Sequence, residues 1–103
     1  YRQVYRQSES PTVRAACLGD IAREWDYSQM PVLLAALDDE SPLVRGRAGA
    51  AAQRMLGLDF YYRAMDPPEK RAEAADKMRE AWRIMRNSSR LSEWNARRKP
   101  NQP

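Results

Sequence analysis

Ser10-Pro11-Thr12-Val13-Arg14 recurs 31 residues later as Ser41-Pro42-Leu43-Val44-Arg45. A chain that repeats itself at this interval builds one local unit twice, and 31 residues hold two helices and two turns. Such units stack into an α-solenoid, each burying its apolar side against its neighbour. A degraded third copy of the Pro-x-x-Arg-x-x-small frame stands at Pro68-Glu69-Lys70-Arg71-Ala72-Glu73-Ala74, only 26 residues after Pro42 and with Lys70 where the valine belongs. The array is therefore expected to end there.

Local signals place the helices. Val13, Cys17, Leu18, Ile21 and Trp25 fall at helical spacing behind Ser10, a good N-cap, and Pro11, suited to the first turn. Met30, Leu33, Leu34 and Leu37 form the stripe of a shorter second helix closed by Asp38-Asp39-Glu40. A third starts at Ser41-Pro42, carries Val44, Ala48, Ala51, Ala52, Met55 and Leu56, and stops at Gly57, a natural C-cap. Its alanines and glycines, Gly46 and Ala48 to Ala52, have no bulk, so neighbouring helices can approach closely and it is expected to be the most buried helix of the stack.

Asp59 to Met65 reads as a short aromatic helix or turn. Asp66-Pro67-Pro68-Glu69 opens the longest helix, with Asp66 as cap, although the bias of a pre-proline residue away from helical angles lets the start slip to Pro68. Ala74, Ala75, Met78, Ala81, Trp82 and Met85 give this helix one apolar face, and its other side is charged, as a terminal cap requires. The expected fold class is all-α: about two helical-hairpin repeats (8–38 and 39–66) and a capping helix (67–86) in one domain over 1–87. A polar, basic tail over 88–103 is read as extended or disordered.

Composition narrows the chemistry. One cysteine and no histidine among 103 residues exclude an intramolecular disulfide, a Cys/His zinc site and a histidine-dependent triad. No catalytic, metal or cofactor site is expected, and the chain is read as a non-enzyme. The longest apolar run, Met30 to Leu37, is far below the roughly 18 residues of a membrane span, so a soluble or peripheral chain is expected. Compartment stays open: cytoplasmic, or exported if a signal peptide precedes Tyr1. Residues 1–66 carry eight Arg/Lys against nine Asp/Glu, whereas 67–103 carry ten against five. All of the basic excess is C-terminal.

The run Pro31-Val32-Leu33-Leu34-Ala35-Ala36-Leu37-Asp38-Asp39-Glu40-Ser41-Pro42-Leu43-Val44-Arg45 resembles HEAT-like repeats of the short, phycobilisome-lyase type common in bacteria. The likeness covers roughly residues 8–57, with 1–7 resembling the end of an earlier helix. It implies a scaffold or adaptor, a subunit of a larger complex rather than a catalyst, and a structural ladder between the inter-helix aspartate and the arginine after the valine, here Asp39 (or Asp38) and Arg45. The first copy departs from the pattern, with Ser8-Glu9 where the acids should stand.

Arg14 and Arg45, repeated in register, read as that structural ladder rather than as ligand grips. Cys17, on an apolar face without an activating histidine, reads as packing. The second helix of each pair contributes one broad face, which nominates Asp20, Arg23, Glu24, Arg47 and Arg54 for a protein partner. Tyr61, Tyr62 and Arg63 join them because aromatics beside arginine favour binding hot spots, at least one of the adjacent rings having to face outward. Trp94, among Arg90, Arg97, Arg98 and Lys99, is the last candidate. Nucleic-acid binding through the basic C-terminal third is the alternative, weakened because Lys70, Arg71, Lys77, Arg79, Arg83 and Arg86 spread around their helix.

Overall fold

The structure, a computed structural model, describes residues 10–87, and these form an all-helical domain without strands. Trp94 and the tail over 88–103 lie outside the described residues, as do residues 1–9.

Helix α1 spans Pro11–Glu24, α2 Met30–Ala36, α3 Pro42–Leu56 and α4 Pro68–Arg86; a single 3-10 turn, Tyr27–Gln29, leads into α2. The two copies of the repeated sequence start their helices in the same way. Ser10 Oγ accepts from the Val13 amide at 3.4 Å and Ser41 Oγ from the Val44 amide at 3.5 Å, each followed by a proline that needs no donor. The ends differ. Helix α3 stops at Gly57 with φ 79°, which glycine adopts freely, whereas α1 stops at Trp25 with φ 54°. The indole is held there by its neighbours: Nε1 donates to the Tyr27 hydroxyl at 2.9 Å, and the Arg54 guanidinium lies 5.5 Å above the ring.

Helix α3 is central, packing against α1, α2 and α4, while α4 also touches α2. The core draws on every helix: Leu18 and Ile21 from α1, Met30, Leu33 and Leu37 around α2, Val44 and Met55 from α3, and Met78 from α4. Each such burial stabilises by roughly 1.5–3 kcal/mol. Tyr27 joins the layers. Its hydroxyl donates to the Met55 carbonyl at 2.8 Å, and its ring stacks on Trp82 of α4, 5° from parallel with centroids 6.2 Å apart.

Two local expectations change. Of the short helix or turn expected over 59–65 only a turn forms, at 64–65; the rest is an irregular strap in which Tyr61 adopts φ 60°. Gln53 Oε1 accepts from the amides of Phe60 (2.9 Å) and Tyr62 (3.3 Å), and the Tyr62 hydroxyl donates to the Leu37 carbonyl at 2.5 Å. The Tyr62 ring lies on Gly49, close enough that a Cβ there would sit 2.5 Å from Cδ1. This contact replaces the local hydrogen bonds of a helix. Asp66 is not the cap of α4, which begins at Pro68 after Pro67 and has no side-chain cap bond.

Candidate functional site

The repeated arginines fasten one turn to the next. Arg14, 8% exposed, donates from Nε to Asp39 Oδ2 at 3.1 Å and from Nη2 to Oδ1 at 3.0 Å, while Asp39 Oδ1 also accepts the Ser41 amide at 2.9 Å. Arg45 meets the carbonyl oxygen of Asp39 (3.0 Å), not its carboxylate, and those of Glu40 (3.1 Å) and Ala64 (2.9 and 3.2 Å). The expected Asp39–Arg45 side-chain pair is thus replaced by a pair formed one repeat earlier. The reason is geometric: Arg14 reaches past α2 to the turn before α3, where it finds an acid, while Arg45 bridges the backbone of that same turn and the Ala64 carbonyl of the turn before α4. Both are occupied in holding the fold.

The open chemistry lies on the other side of α1 and α3. Between these helices runs a shallow groove of about 360 Å³, floored by Gly19, Ala22, Ala50 and Ala51 and rimmed by Arg23, Arg47 and Arg54. Arg23, Arg47 and Arg54 therefore share one site, but on α1 and α3, the first helices of the 8–38 and 39–66 copies, not on the second helices as expected. Asp20 pairs with Arg23 across one turn, both being solvent-exposed. Arg54 rests on Trp25, and Arg47 has no carboxylate within ion-pair distance among the described residues. Glu24 is exposed at the end of α1 but does not line the groove. Arg23 and Arg54 stand 31 residues apart, the same interval as the Ser-Pro caps, a register that could have marked them as neighbours.

The aromatic candidates separate. Tyr61 is 71% exposed at φ 60°, Arg63 is exposed, and Tyr62 is buried, its ring and hydroxyl both used in packing, so it presents nothing to a partner. Phe60 and Tyr61 line a smaller hollow of about 260 Å³ with Lys70, Glu73 and Lys77.

Half of the cations of α4 are met by carboxylates. Lys77 pairs with Glu73, Arg83 with Glu80, and Arg79 with both Asp76 and Asp38. The bond from Arg83 holds the Glu80 carboxyl below its ordinary value. Burial is the largest cause acting on the Cys17 thiol and pushes it above its ordinary value. Among the described residues no group of three or more His, Cys, Asp or Glu could hold a metal, and no helix is long and apolar enough to cross a membrane.

Comparison with protein-family models, curated proteins and solved structures finds no match.

Proposed function

We propose that this chain is a short α-solenoid of about two HEAT-like helical-hairpin repeats closed by α4, and that it acts as a non-enzymatic scaffold or adaptor within a larger protein assembly. The repeat reading is supported by the packing of α1 on α3 at the 31-residue register and by the matching Ser-Pro starts of these two helices, the strap over 59–65 standing where the second helix of the 39–66 copy would be. The function rests on one observation. The α1–α3 face combines a small-residue floor, which lets a partner backbone come close, with three exposed arginines, the charged residue most enriched at interfaces.

Nucleic-acid binding through the C-terminal third is the weaker alternative. Lys77, Arg79 and Arg83, in the middle of α4, are paired with carboxylates, which separates Lys70 and Arg71 at its start from Arg86 at its end.

Site-specific photocrosslinking tests the assignment. A photoreactive residue at Ala50, in the groove, is expected to capture one protein from native lysate, and the same residue at the exposed Ala72 of α4 is not. Identical captured sets from both positions would contradict it.

A further inference from the structure

The groove's charge specifies its ligand more closely, given the reading of this face as a protein-binding surface. We infer that it receives an acidic segment of a partner protein, one that presents two carboxylates about 10 Å apart. Arg23 is already matched by Asp20, so the groove offers two open cations, Arg47 and Arg54. These stand seven residues apart on α3, two helical turns, which separates their origins by about 10.5 Å along one side of the helix. Two acids seven residues apart on a partner helix have the same spacing and face.

Two features select a peptide carboxylate over a phosphate chain. Two open cations balance two carboxylates, whereas duplex DNA supplies a charge every ~1.7 Å of axis and calls for a longer positive track. The floor of Gly19, Ala22, Ala50 and Ala51 is shallow and apolar, shaped for the small side chains of a packed helix rather than for stacked bases, which need aromatic platforms. Arg54 is also steadied on the Trp25 ring, which fixes its guanidinium before a ligand arrives.

The test is a titration of the isotope-labelled full chain, followed by amide chemical shifts. The probes are a blocked, alanine-rich 15-residue helical peptide with two glutamates seven apart, the same peptide with glutamines, and the trinucleotide TpTpT, which carries two phosphates. The glutamate peptide should shift the amides of Gly19, Ala22 and Ala50. Binding should weaken about tenfold with glutamine or in the Arg47→Ala/Arg54→Ala variant, the loss of two charge-assisted contacts at a solvated surface. Lys77→Ala should leave it unchanged, and circular dichroism checks that each variant stays folded.

Equal binding of the glutamine peptide, tighter binding of TpTpT, or shifts confined to α4 would overturn the inference. Ala50→Trp separates this from the broader reading, because it fills the groove without altering charge. If the protein identified by crosslinking no longer co-purifies with the tagged Ala50→Trp chain but still does with Arg47→Ala/Arg54→Ala, the groove binds a protein and its acidic chemistry is refuted.

Discussion

The Arg14 guanidinium and the Asp39 carboxylate form a two-point ion pair across 25 residues of chain, at 3.1 and 3.0 Å, with side chains 10% and 8% exposed. Asp39 also accepts the Ser41 amide that opens α3. One carboxylate thus joins the start of α1 to the start of α3, the two helices that form the groove, and fixes their relative placement.

Removing either partner leaves a largely buried charge unmatched. Arg14→Ala and Asp39→Ala should each lower unfolding free energy by about 3 kcal/mol, a large share of a small domain's stability. Asp39→Asn keeps an acceptor for the Ser41 amide and should cost less. The double variant Arg14→Met/Asp39→Leu should lose well under the sum of the single changes. Urea denaturation followed by circular dichroism measures all four.

Two glycines of α3 should respond in opposite directions to the same methyl. A Cβ at Gly49 would lie 2.5 Å from Tyr62 Cδ1, and the ring is tethered by its hydroxyl to the Leu37 carbonyl, so Gly49→Ala should destabilise by about 1–3 kcal/mol. A Cβ at Gly46 meets only Ala64 Cβ at 3.7 Å, an ordinary contact, so Gly46→Ala should stabilise the helix by about 0.5–1 kcal/mol. Thermal melts of the two variants check the sign.

Alkaline pH should weaken the fold through buried acids. Burial raises the Cys17 thiol above its ordinary 9.0 and the Tyr62 phenol above its ordinary 10.0, the latter despite the opposing pull of the Arg71 and Arg45 cations. In each case the folded protein keeps a proton that the unfolded chain gives up. The stabilisation is therefore complete below the ordinary value and is lost as pH climbs beyond it, at up to about 1.4 kcal/mol per pH unit for each group. Denaturation midpoints from pH 8 to 11 should fall, and Cys17→Ala should remove the earlier part of the decline.

Much of the helical framework was legible because its signals are local. Ser10-Pro11 and Ser41-Pro42 begin helices, Gly57 ends one, and the bulk-free side of α3 marks the helix that touches every other. The slip of α4 to Pro68 follows from two adjacent prolines. What stayed hidden depends on residues far apart in sequence. Asp39 pairs with an arginine one repeat back, a choice that the local Asp39–Arg45 spacing conceals. The strap over 59–65 is shaped by Gly49, Gln53 and Leu37, so nothing within Phe60-Tyr61-Tyr62 says which ring turns inward. The groove was half visible, since Arg23 and Arg54 share the repeat register, but its floor required α1 and α3 to be set side by side.

The most direct measurement of the central claim is affinity capture of the tagged full chain from native lysate, with nuclease treatment and washes at low and high salt, run beside the Ala50→Trp variant. The account predicts one protein in stoichiometric amount with the unaltered chain, insensitive to nuclease and absent with Ala50→Trp. Recovery of nucleic acid alone, or of the same protein with a filled groove, would contradict it.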